Sequence, residues 1–211
     1  MVSLREMMEG AWIEGEQLGV PGDKFVEQLV DILIELHSSP YTGPDRKKFP
    51  AERDVSDLIA CDDKDDFTKQ AIDEYFNLDN HWRGCLLHGD LWRQNILVDE
   101  DGNLTGLRDW EDISVGDPNW DLRMVRRWLG WERMDKLIFL YNSSMDFNLD
   151  KNSIMVYDKI SLCHSIRIRK KRGLLRHDKD FAIQRFEEYK RIFPECLPLD
   201  WKPTADSTVE S

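Results

Sequence analysis

His88-Gly89-Asp90, Asn95 and Asp109 are the residues of this chain whose types and spacing suit chemistry. Asp90 and Asn95 stand five residues apart. A carboxylate can orient a hydroxyl and accept its proton. Asn and Asp side chains offer the hard oxygens that Mg²⁺ prefers. Phosphoryl transfer asks a protein mainly for positioning and charge neutralisation, and these residues can supply both.

The flanking residues must bring them together. Cys85-Leu86-Leu87 predicts a short buried strand running into the loop, and Ile96-Leu97-Val98 a strand leaving it. Asp99-Glu100-Asp101-Gly102 reads as a turn, and Leu104-Thr105-Gly106-Leu107 returns as the second strand of a hairpin. That hairpin is expected to deliver Asp109 beside Asn95. Each signal alone also fits an ordinary turn or hairpin. Together they favour a site for Mg-dependent phosphoryl transfer. His88-Gly89-Asp90-x-x-x-x-Asn95 follows the H-R-D-x-x-x-x-N form of a kinase catalytic loop, with Gly89 in place of Arg.

The resemblance rests on His88-Gly89-Asp90-Leu91-Trp92, Asn95-Ile96-Leu97-Val98-Asp99, Asp109-Trp110-Glu111 and Gly116-Asp117-Pro118-x-x-Asp121-Leu122. On these residues the chain resembles the aminoglycoside phosphotransferase and choline kinase family, which shares the protein-kinase-like fold. The fructosamine kinase branch often carries the same H-G-D-L-W run. The segment Leu33-Ile34-Glu35-Leu36-His37 resembles the family's helix ahead of the catalytic segment. The likeness is good over residues 8–130 and weak over the helical remainder.

It implies an α+β, mainly helical fold: a kinase-like large C-terminal lobe with a small β-hairpin carrying the catalytic loop. It implies Asp90 as catalytic base and Asn95 and Asp109 as Mg²⁺ ligands. Trp12-Ile13-Glu14-Gly15 resembles the hinge that frames the adenine, so Ile13, with Leu97 and Arg108, is expected to face ATP. Arg108 takes a place that is usually apolar in the family. It either reaches a phosphate or turns aside. Asp117 and Asp121 would brace the loop. Read without the family, they mark a capped helix start, with Gly116 and Pro118 as turn residues. His88 is expected to hold the loop by hydrogen bonds. The reaction implied is phosphorylation of a hydroxyl on a small molecule, with alcohols, amino sugars and amino alcohols all open as acceptors.

The chain also departs from the family. Gly15, Gly19 and Gly22 are scattered and form no glycine-rich phosphate loop, and Lys24, the first lysine, opens a helix. Residues 1–15 are therefore expected to be the last strand of a small lobe and its hinge, 16–200 the large lobe and 201–211 a flexible tail, the N-terminal lobe being absent. The alternative is an impaired lobe that acts as a binding or regulatory remnant, or that is completed by a partner chain covering its exposed interface.

Composition sets the outer bounds. A net charge of −12 argues against nucleic-acid binding and favours cationic substrates. Eight Trp and nine Phe support a packed core. No apolar run reaches membrane-span length, and the N-terminus shows no secretory pattern. Cys61, Cys85, Cys163 and Cys196 include no C-x-x-C pair, which argues against zinc and fits a reducing cytoplasm. Phe25, Leu29, Ile32, Leu33 and Leu36 recur at helical spacing, with Asp23 as cap. Further helices are expected over 67–76, after Asp121, around Leu137–Tyr141, over 154–168 and over 181–193.

Overall fold

The computed structural model describes residues 16–17, 24–40, 49–62, 64, 66–78, 84–146 and 148–171, apart from the side chains of 16, 17, 128, 169 and 170. Ile13, Asp23, Cys196, the helix expected over 181–193 and the tail lie outside those residues.

The first helix, α1 (Phe25–Ser38), buries Phe25, Leu29, Leu33 and Leu36 along one face. Its N-cap position is Lys24, without a side-chain cap, where the sequence had suggested Asp23. Next comes α2 (Pro50–Ile59), to which the sequence reading gave no element. Its stripe is only Ala51, Val55 and Leu58, with Asp54 buried on the same side, so the apolar period is short and interrupted. Pro50 opens it, where a missing N–H costs nothing. A third helix, α3 (Asp66–Phe76), begins at the last residue of the acidic stretch 62–66.

Two small antiparallel sheets follow. The strands β1 (Glu16–Gln17), β3 (Ile96–Val98) and β4 (Leu104–Leu107) lie in the order β1-β3-β4. The β3–β4 hairpin pairs Ile96 with Leu107 and Leu97 with Gly106, then shifts by a bulge to pair Val98 with Leu104. Asp99 builds its turn: the carboxylate accepts the Asn103 and Asp101 backbone N–H groups at 2.8 and 3.0 Å. Gly102 takes φ 75°, a left-handed conformation that glycine adopts without penalty. The second sheet pairs β2 (Cys85–Leu87) with β5 (Ser114–Gly116), Leu86 opposite Val115. β5 carries no sequence signal, because three residues cannot show a period.

Three helices complete the described chain: α4 (Asn119–Leu129), α5 (Trp131–Asn142) and α6 (Lys151–Lys171). The main core joins Leu29 and Leu33 of α1, Ile96 and Leu107 of the hairpin, Leu122 and Val125 of α4, and Met134 and Leu137 of α5. The long helix α6 packs on α2, α3 and α4. Buried Asp158 on α6 pairs with both Arg126 and Arg127 of α4. Cys85 and Cys163 are buried free thiols and Cys61 is half-buried. No described helix is long and apolar enough to cross a membrane.

β5 passes against a buried aromatic cluster. Phe49 meets Trp120 and Tyr157 edge-on, at centroid distances of 5.8 and 5.9 Å. A methyl group at Gly116 would collide with the Phe49 ring. Gly116→Ala is expected to destabilise the fold by about 1–3 kcal/mol through overpacking, read as a lower urea midpoint at unchanged slope.

Candidate active site

Between β2 and the 3₁₀ turn Arg93–Asn95 the chain must bend sharply, and backbone groups are left without ladder partners. Asp121, in the first turn of α4, satisfies two of them. Its carboxylate accepts the N–H of His88 at 2.8 Å and that of Gly89 at 2.8 Å. His37 of α1 approaches the same carboxylate at 3.4 Å and contacts the Tyr141 hydroxyl at 2.8 Å through its other nitrogen. Burial alone would raise the Asp121 pKa. Hydrogen bonds and charge from His37, the nearby His88 and the Gly89 N–H outweigh it and hold the carboxyl below its ordinary value.

His88 is fully buried and serves the loop. Its Nε2 donates to the Arg108 carbonyl at 3.0 Å, and its Nδ1 accepts the Asp90 N–H at 3.3 Å. Both bonds suit a neutral ring, and burial lowers the His88 pKa in the same sense. Gly89 has φ 86°, and a Cβ there would strike the Asp112 carbonyl. The Gly89 carbonyl accepts from Trp120 Nε1 at 2.9 Å and from Arg123 Nη2 at 3.1 Å. Asp117 behaves differently from Asp121. It caps the start of α4 through the Asn119 N–H at 2.9 Å and accepts the Tyr157 hydroxyl at 2.8 Å. Bracing the loop thus falls to Asp121, and capping the helix to Asp117.

The loop presents Asp90 with its side chain 35% exposed. Asn95 is buried and donates its amide to the Asp90 carbonyl at 2.9 Å and to the Asp90 carboxylate at 3.3 Å. The Arg108 N–H bonds the Asn95 carbonyl at 3.0 Å, one rung beyond the Ile96–Leu107 pair. Asp109 therefore leaves the hairpin beside the loop. It is exposed, and its φ of 64° is a left-handed conformation uncommon outside glycine. Its charge acts on Asp90 and His88. Arg108 is exposed and turns its Nε to the Gln94 carbonyl at 2.9 Å. Leu97 is buried in β3 between β1 and β4.

Burial pushes the Asp90 carboxyl up, Arg123 pulls it down, and the Asp112 and Asp109 charges push it up again. Asp90 opens on a cleft of about 600 Å³ that Arg53 and Asp54 of α2, Arg123 of α4 and His164 of α6 also line. Asp54 takes Arg53 at 3.2 Å and His164 at 3.2 Å. The sequence reading missed this cleft and Arg123. Their one trace in the sequence is charge on otherwise apolar helix faces, as with Arg123 between Leu122 and Val125.

The Asn95 amide nitrogen is tied to Asp90, which leaves its oxygen for a cation. The Asp109 carboxylate, on the chain leaving the hairpin just after the Arg108–Asn95 bond, is a second hard-oxygen donor, so the two residues are a pair of the right chemical type. The described residues hold no cluster of three His, Cys, Asp or Glu side chains able to bind a metal. The pair nevertheless fits Mg²⁺, which commonly uses one or two protein oxygens and fills its sphere with water and phosphate.

A family model described as the phosphotransferase enzyme family matches residues 2–137. The chain belongs to that family. Its sequence is 29% identical over 136 residues to the uncharacterized protein YcbJ of Bacillus subtilis (strain 168). That match covers 59% of this chain and 44% of YcbJ, so the chain spans less than half of that relative. The fold matches the GDP and kanamycin complex of APH(2")-IIIa with TM-score 0.62, at 17% identity over 85% of this chain and 69% of that one. It matches choline kinase LicA from Streptococcus pneumoniae with TM-score 0.58, at 19% identity over 79% and 62% of the two chains. The resemblance read from the sequence therefore holds, and the phosphotransferase fold is shared at low identity.

Asp121→Asn replaces an acceptor of two N–H groups by an amide that can accept only through its oxygen. The expected loss is about 3 kcal/mol, because a buried charged network is broken. The Asp121 pKa is depressed by folding, so its contribution is complete above the unfolded carboxylate pKa of about 3.9 and fades as pH falls below it. The gap in urea midpoint between wild type and variant should therefore be wide at neutral pH and narrow in strong acid.

Proposed function

We propose that this phosphotransferase-family chain transfers the γ-phosphoryl group of ATP, bound with Mg²⁺, to a hydroxyl of a small molecule held in the cleft beside Asp90. One observation carries the reading. Asp90 both lines the cleft and bonds the Asn95 amide, so acceptor side and metal side meet at one carboxylate.

Asp90 would orient the acceptor hydroxyl and take its proton. Asn95 and Asp109 would hold Mg²⁺, which when bound neutralises charge on the transferring phosphoryl group. Leu97 offers the nucleotide an apolar side chain, and Ile13 would complete that wall. Arg108 has its Nε tied to the Gln94 carbonyl, so only its terminal nitrogens remain for a phosphate. The acceptor class is an alcohol, an amino sugar or an amino alcohol. The kanamycin held by the solved neighbour supports an aminated acceptor. In this reading residues 16–200 form a kinase-like large lobe, 1–15 a remnant of the last small-lobe strand and its hinge, and 201–211 a flexible tail. The chain works in the cytoplasm, where ATP is available.

Labelled γ-phosphate transfer to a panel of amino sugars, amino alcohols and simple alcohols tests the reading. Asp90→Asn should lower kcat by about 10²–10⁴-fold while the thermal midpoint stays put. Undiminished turnover in that variant would remove Asp90 from the chemistry. Mg-ATP should raise the melting temperature in step with RT ln(1 + [L]/Kd). The double variant Asn95→Ala/Asp109→Ala should lose the Mg-dependent part of that rise, and a rise equal to wild type would remove both residues as ligands.

A further inference from the structure

We propose that Arg123 is a positioning residue for Asp90: its guanidinium fastens the Gly89 carbonyl and stands against the Asp90 carboxylate, keeping the base aimed into the cleft. The inference rests on the reading of Asp90 as base.

Arg123 sits on α4 between Leu122 and Val125, both fully buried. Its own side chain is 6% exposed. A guanidinium in such a place is costly unless hydrogen bonds and a counter-charge compensate. Here Nη1 donates to the Trp120 carbonyl at 2.9 Å and Nη2 to the Gly89 carbonyl at 3.1 Å. The guanidinium carbon lies 3.8 Å from the centre of the Trp120 ring. Nη2 stands 4.0 Å from Asp90 Oδ1. Nε is buried with no hydrogen-bond partner.

The direction of these contacts separates positioning from bracing. Arg126 and Arg127, farther along α4, pair with Asp158 and join helix to helix. The contacts of Arg123 instead run to the Gly89–Asp90 loop and to the turn of α4 that carries it. The charges that act on Asp90 from beyond α4 include those of Asp109 and Asp112 after β4, while the neighbouring His88 ring is neutral. Arg123 also feels Asp54 of α2, across the cleft they line together. Two carboxylates thus repel Asp90, and among the described residues Arg123 is the foremost cation that opposes them. Without it, the Asp90 side chain is pushed off its line, and the Gly89 peptide loses one of its two donors.

Two variants and two readouts test this. Arg123→Met keeps an apolar stem over Trp120 without charge or donors, and Arg123→Lys restores charge without the planar fork. Hydrogen exchange at residues 88–91 needs no substrate. It should speed up about tenfold or more in Arg123→Met, return most of the way in Arg123→Lys, and leave α6 unchanged. With an acceptor in hand, kcat should fall by about 10- to 100-fold in Arg123→Met while KM for ATP moves less than about twofold. Exchange that stays at the wild-type rate, or that rises equally in α6, overturns the proposal, as does an undiminished kcat. A wild-type chain without turnover on any acceptor refutes the phosphotransfer reading instead, and loop exchange then decides the clamp by itself.

Discussion

The site depends on one buried carboxylate. Asp121 accepts the His88 and Gly89 N–H groups, each at 2.8 Å, and so fixes the two peptides that precede Asp90. Charge-assisted bonds of this kind are about twice as strong as neutral ones, and in a dry interior they lose nothing to water. The carboxylate is itself held from behind by His37, which leans on the Tyr141 hydroxyl. A chain of contacts from α5 through α1 and α4 thus ends on the loop that carries Asp90.

One turn of helix organises most of this. Asp121 takes the N–H side of the Gly89 residue, while Trp120 and Arg123 take its carbonyl. Gly89 can be held so closely because it has no Cβ to meet the Asp112 carbonyl. The hairpin supplies the other half. Its ladder runs on through the Arg108–Asn95 bond, and the chain then turns at Asp109 with a left-handed φ of 64°. A non-glycine residue held there carries a modest strain that the surroundings must support. The strain falls on the residue whose carboxylate the metal reading requires.

Much of this was legible because it is local. The strands on either side of the loop, the Asp-Gly turn and the amphipathic face of α1 each lie within one short window of sequence. The contiguous His88 to Asp99 motif was enough to point to the family. What escaped is non-local. β5 is three residues long and exists because β2 pairs with it. α2 buries too short a stripe to stand out. The cleft draws its walls from α2, α4 and α6, which meet only in the fold. Asp117 and Asp121 looked alike in the sequence, and only their neighbours separate a helix cap from a loop brace. Arg123 reads as a charge on an apolar face until Gly89 and Trp120 are placed beside it.

The most direct measurement is a Mn²⁺ titration of the ¹⁵N-labelled chain with a non-hydrolysable ATP analogue, followed by paramagnetic line broadening. Convergence of Asn95 and Asp109 on one cation predicts that their resonances vanish first, with those of Asp90 close behind. Broadening that starts at the Asp99–Asp101 turn and spares Asn95 would contradict the account.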